Sequence, residues 1–459
     1  MIGRLALRSL TAHPVRSAVL AAGFGVGVAV MAILLGVAAI VLQQAQSPAL
    51  VGGGDVLIRI SESVPARMVL AGTLQSRALQ PRFEVASPFQ TGSLYLFHEG
   101  RASRVDVRGG IPSLERALGD PETSQVQAWR DTDADETWAA ATPGSVLRHI
   151  DRFHPIPEVA RWQSSWAEWL YFNGRTRDAR FYLTFMVGPR TSGDRRSAGV
   201  RLQLERNGQM ENYSGATEIS DAEALRAPDL TIGANRVSLN DSTYTIHLDL
   251  VSARGERAQG DLSLVASPGK LVPPIEISGR NGWRTGYVVP VMAGMLDGSI
   301  HVGGTVVSLR DGTGYHDHNW GFWEGVSWQW GQGQSGDLAL LYGRVFAPAE
   351  AADPDRIPGF VGILGPDGPL GYATNVRISE ENDRHGRPTR IAISGRGPSL
   401  DLKAQFDVTT VVTTRSQQGP LANQIDFLQL RGAYTVTGTA GSRQLQFTAP
   451  GAAETFRGR

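Results

Sequence analysis

Two hydrophobic periods divide the chain. From Ala18 to Leu42 the sequence runs 25 residues without a charge, enough at 1.5 Å per residue to cross the roughly 30 Å apolar core of a bilayer. A buried helix of this length would show a polar stripe, and a cleaved leader would have an apolar run of about 7–15 residues closed by a small-residue site. Neither fits, so the pattern predicts an uncleaved, single-pass anchor over 18–42 behind a basic lead-in, 1–17. Arg4, Arg8 and Arg16 precede it with no acid. That asymmetry predicts a cytoplasmic N-terminus, an inner-membrane location and a body on the periplasmic or external side.

Beyond residue 43 the period changes to two. DVLIRI (55–60) and SLYLF (93–97) alternate as strands do, and IPSLERALGD (111–120) predicts a short helix capped by Ser113 and stopped near Gly119. Residues 43–155 therefore read as a small mixed α/β region with no assignable chemistry. From 156 onward strand signals dominate. Val200, Leu202 and Leu204 share a face ahead of an Asn207-Gly208 turn, and Tyr244, Ile246, Leu248 and Leu250 alternate after an Asn240-Asp241 turn. Further strands are predicted in 298–309, 337–346, 360–373, 390–395, 400–408 and 433–449. Turns every 8–12 residues or so indicate a sandwich or barrel, and roughly 300 residues exceed one barrel of about eight to ten strands. The expected fold class is mainly β, with two consecutive barrels at 156–310 and 311–459.

Composition narrows the function. With no cysteine, disulfides, thiolate zinc sites, iron–sulfur clusters and a cysteine nucleophile are excluded. The 44 basic and 44 acidic residues balance, which argues against a general nucleic-acid binder. No glycine-rich phosphate loop is present, and no cofactor is expected.

Chemistry concentrates in two windows that hold seven of the ten tryptophans: RWQSSWAEWLYFNG (161–174) and GTGYHDHNWGFWEGVSWQWG (312–331). If the second is a strand, alternation places Tyr315, Asp317 and Asn319 on one side and His316, His318 and Trp320 on the other. Burial pushes an unpaired carboxyl towards neutrality, so Asp317 beside a phenol and imidazoles is a candidate general acid. Aromatic rings can shelter a cationic intermediate. Other readings stay open. His316 and His318 could ligate a metal with Glu168 or Glu324, although no third ligand sits at motif spacing, and no metal is expected. The polar groups could form a purely structural network. A Ser-His-Asp hydrolase lacks its nucleophile elbow. Trp328 and Trp330 read as one wall of a core or cavity.

GTGYHDHNWG resembles the signature of the AttH-type lipocalin-like proteins and of the carotenoid 1,2-hydratases (hydroxyneurosporene synthases). AEWLYFNG is similar to the EWWY motif of the same group, with Leu170 in place of the second tryptophan. Over roughly 150–459 the resemblance implies two tandem lipocalin-like barrels. It also implies, for the hydratases, cofactor-free addition of water to an isoprenoid double bond. By position Asp317 would be the acid, with Tyr315 and His318 as catalytic neighbours. Glu168, Trp169, Tyr171, His316, Asn319, Trp320, Trp328 and Trp330 would bind the ligand. Glu454 is the one acid in the closing QFTAPGAAETFRGR. The opening LALRSLTAHPVRSAVLAAGFGVGVAVMAILLGV resembles the first helix of FtsX-like ABC-transporter permeases. Together these imply a membrane-anchored lipocalin-like protein that hands over an apolar ligand in a dry pocket, with ABC-transporter subunits as partners. The alternatives are a hydratase, or a docking module for a permease.

Overall fold

The computed structural model describes residues 84–119, apart from 99–100, and 142–458 with short gaps at 207, 268–269, 367 and 416–424; elsewhere only scattered residues are described. Two compact units form, 1–59 with 83–140 and 60–82 with 141–459. Among the described residues no helix is long and apolar enough to cross a membrane. The expected span 18–42 is described only in pieces up to Met31; 32–42 and the lead-in up to residue 13 lie outside the described residues.

In the smaller unit, Phe89–His98 and Arg101–Gly110 pair as an antiparallel hairpin that contains the SLYLF strand. The helix that follows, Pro112–Ala117, begins earlier than a Ser113 cap implies, because Ile111 is the capping position and Pro112 fills the first turn, where a missing N–H costs nothing. Gly119 closes the segment at φ +77°. Of the expected strand 55–60, residues 56–58 are described and have no regular structure.

The larger unit carries two barrel-like sheets. In the first, of twelve strands, eight close a ring in the order Arg257–Ala266, Arg284–Val302, Gly312–Phe322, Trp166–Arg175, Ala179–Ser192, Arg195–Arg206, Gln209–Ser220 and Thr243–Ser252, the last pairing back onto the first. The alternating residues fill its interior: Val200, Leu202, Leu204, Tyr244, Ile246, Leu248 and Leu250 are all buried. The Asn240-Asp241 turn is present, with Asp241 at φ 49°. The second sheet has nine strands, from Gly368–Ala373 at one end through Ser327–Ser335 and Arg443–Gly458 to Asn375–Asn382 at the other. Its own core is built on Leu340, Ile363, Ile393, Leu402, Phe406, Tyr434 and Val436.

Two expected boundaries move. Gly312–Phe322 lies between Arg284–Val302 and Trp166–Arg175, so the passage between sheets falls after Phe322 and not at 311. Helix Pro143–Ile150 and the segment after it also belong with the first barrel, because Leu147, Ile150, Phe153 and Ile156 pack into its core. A Thr142–Ser145 capping box starts that helix, and Asp151 ends it with its side chain turned inward, fully buried.

Candidate active site

The two tryptophan-rich windows are neighbours in space. Strand Gly312–Phe322 pairs antiparallel with Trp166–Arg175, setting His318 opposite Leu170, Asp317 opposite Tyr171 and Tyr315 opposite Asn173. Directly opposed residues share a face. The inner side therefore carries Glu168, His316, His318 and Trp320, and the outer side carries Trp169, Tyr171, Tyr315, Asp317 and Asn319.

The inner face is a network of carboxyls and imidazoles. His318 Nε2 lies 2.9 Å from Glu168 Oε1 and its Nδ1 lies 3.3 Å from Asp151 Oδ1. His316 Nε2 lies 2.9 Å from Asp151 Oδ2, with its Nδ1 on the Tyr171 carbonyl at 3.0 Å. Tyr244 OH donates to Asp151 Oδ2 at 2.9 Å, and His154 Nδ1 lies 2.7 Å from Glu168 Oε1. Burial works against every charge here, but opposite charges outweigh it. His316 and His318 hold Asp151 at about 2, His154 and His318 hold Glu168 below the usual carboxylate range, and the two carboxylates raise His318 to about 9. Trp320 is seated by Gly286, where an added Cβ would lie 2.0 Å from the indole, and it stacks on His154 with centroids 4.6 Å apart.

The outer face is covered by the second sheet. Tyr171, Tyr182, Val289, Met292 and Tyr315 pack against Trp330, Ala339, Leu341 and Ala452, while Trp169, Trp323 and Trp328 cluster at the junction with centroids 4.6–6.3 Å apart. Asp317 sits in this layer, 4% exposed. Tyr315 OH donates to its Oδ2 and Asn319 Nδ2 to its Oδ1, each at 2.8 Å. The donors run in one direction, since Trp330 Nε1–H donates to Tyr287 OH at 2.8 Å and Tyr287 lies 2.8 Å from Tyr315 OH. Across the layer, Tyr171 OH donates to Glu454 Oε1 at 3.1 Å. Burial drives Asp317 well above the carboxylate range, and hydrogen bonds from Tyr315 and Asn319 offset this only in part, with Glu454 pushing the same way. Burial also raises Glu454, to about 7. In the same layer, a cavity of about 20 Å³ lined by Asn173, Tyr182, Gln332 and Ala452 has room for a water. Asn173 Nδ2 is buried there without a hydrogen-bond partner.

The expected open apolar pocket is not found at 168–171 and 315–320. Glu168, Leu170, Tyr171, Tyr315, His316, Asp317, His318 and Trp320 are all buried, because the inner face is filled by the ion network and the outer face by the second sheet. The metal set His316, His318 and Glu324 does not assemble, as exposed Glu324 pairs with Arg161. Asp151, His154 and Tyr287 were missed by sequence reading. The first two lie in DRFHPIP just ahead of the first window, where polar residues interrupt an apolar run.

No family model and no curated protein matches the chain. Among solved structures it is similar to kievitone hydratase from Nectria haematococca, at 14% identity over 66% of this chain and 93% of that one, TM-score 0.42. It is also similar to an AttH-type protein from Nitrosomonas europaea, at 15% identity over 63% and 92%, TM-score 0.40. A third is CghA with Sch210972, at 14% identity over 69% and 95%, TM-score 0.41. These likenesses assign no activity to this chain.

Proposed function

We propose that the chain is a cofactor-free hydratase for an apolar, isoprenoid-like alkene, with Asp317 as proton donor. The observation that carries this reading is the pair of carboxyls in one aromatic layer: Asp317, raised well above its ordinary range, and Glu454, at about 7. Two carboxyls raised above their ordinary range in one layer can divide the roles of acid and base between them. Both oxygens of Asp317 accept hydrogen bonds, so its own proton is free to leave towards a substrate. Asp317 protonates the double bond, and the surrounding rings stabilise the carbocation through their quadrupoles. Water adds to that cation and gives its proton to Glu454, and proton exchange with solvent then restores Asp317. Substrate entry requires the layer at Trp328 and Trp330 to open, since Asp317 is buried when it is closed.

The test is turnover of terminal isoprenoid alkenes in ¹⁸O-labelled water. Asp317→Asn should lower the rate by about 10²-fold or more while leaving circular dichroism unchanged and a cooperative unfolding transition in place. An unchanged rate in this variant contradicts the assignment.

A further inference from the structure

The inner-face cluster holds a donor set that the chemistry on the outer face does not use. His154 Nδ1 and His318 Nε2 converge on Glu168 Oε1, at 2.7 and 2.9 Å, and the three ligand atoms all lie within 4.8 Å of one another. Two imidazoles and one carboxylate, with a coordination position left open, are a set that divalent transition ions accept.

The surroundings are built as such sites are built. Metal-bound imidazoles usually turn their second nitrogen to a carboxylate, and His318 Nδ1 faces Asp151 Oδ1 at 3.3 Å. Asp151 is itself fixed through its other oxygen by His316 Nε2 and Tyr244 OH, both at 2.9 Å. Glu168 is oriented by the His154 backbone N–H, 3.0 Å from each carboxylate oxygen. Both carboxylates are fully buried, where a dication is a strong compensating charge. An entry path exists at His154, whose side chain is 36% exposed.

We propose that His154, Glu168 and His318 bind one divalent transition-metal ion, zinc being the probe of choice, with water in the fourth position. The ion would clamp the segment carrying Asp151 and His154 to the first barrel. Ligand atoms about 2.0–2.2 Å from zinc in a tetrahedron stand roughly 3.3 Å apart, so both imidazole–Glu168 separations, 2.7 and 2.9 Å, must lengthen by about half an ångström. His154, on a half-exposed loop, is free to make that shift.

The experiment uses the full chain, stripped with a chelator, dialysed against zinc chloride and desalted. About one zinc per chain should be retained, and the unfolding midpoint should rise with zinc concentration as linkage requires. His154→Asn and Glu168→Gln should each reduce retained zinc to background, whereas Asp317→Asn on the opposite face should keep it. Cobalt(II) in place of zinc should give the visible bands of four-coordination in the wild type and none in His154→Asn. If Glu168→Gln does not fold, the half-exposed His154→Asn decides alone. Failure of the wild type to retain zinc, or equal retention by His154→Asn, overturns the proposal and leaves the cluster as a proton-held ion network. Neither result bears on the role of Asp317.

Discussion

The two faces of strand Gly312–Phe322 put carboxyls of similar burial into opposite states. On the inner side Asp151 and Glu168 stand beside His316, His318 and His154 and are held ionised. On the outer side Asp317 stands beside a phenol, an amide and a second carboxyl and is driven towards neutrality. All three are essentially buried, so depth alone does not set the state of a buried acid; the charge of its neighbours does. One strand thereby separates a fixed electrostatic clamp from a buried acid driven towards neutrality.

The sharpest way to break this comparison is to remove an acid from each face. Asp151→Ala leaves buried His318 short of a counter-charge and His316 without its carboxylate partner, and should cost about 3–5 kcal/mol in urea unfolding. Asp317→Asn keeps the shape but puts an NH2 where one oxygen accepts from Tyr315 or Asn319, and should cost less, about 1–3 kcal/mol. Equal costs would mean that both acids are ionised.

The pH dependence follows from the same shifts. Asp151, lowered from 3.8 to about 2, stabilises the fold above 3.8 and loses that contribution as pH falls towards 2. His318, raised from 6.5 to about 9, contributes fully below 6.5, and the contribution is lost as pH rises through 9. Glu454, raised from 4.5 to about 7, favours the native state while protonated, so its ionisation withdraws stability between 4.5 and 7. Glu454→Gln should therefore make the fall from 4.5 to 7 shallower, leaving in place the part due to Asp317 and the loss above 6.5 due to His318. A profile unchanged by this variant would remove Glu454 from the outer-face pair.

Smaller effects refine the picture. Gly286→Ala places a Cβ 2.0 Å from the Trp320 indole and should push that ring off His154, costing about 1–3 kcal/mol, with a shift in tryptophan fluorescence as the check. Trp330→Phe removes one donor to Tyr287 across the sheets and should cost about 1 kcal/mol by chemical denaturation.

Much of this was legible along the chain. The alternation that parts Tyr315, Asp317 and Asn319 from His316, His318 and Trp320 is a local property of a strand, and the hydrogen-bond partners follow it. The mainly β architecture was equally readable from periodic residues such as Tyr244 and Leu248. Partners that depend on long-range register were not. Trp320 stands opposite Glu168 across about 150 residues of intervening chain, and Tyr171 meets Glu454 nearly 300 residues away; no local period encodes either pairing. The 311 boundary failed for the same reason, because the ring closes by pairing its earliest strand with a late one.

The central claim is that Asp317 is a protonated acid at neutral pH. Infrared difference spectroscopy between the wild type and Asp317→Asn, at pH 7 in light and heavy water, addresses it directly. A protonated Asp317 predicts a carboxylic-acid C=O band that shifts in heavy water and is missing from the variant. A difference spectrum showing only the loss of carboxylate bands would contradict it.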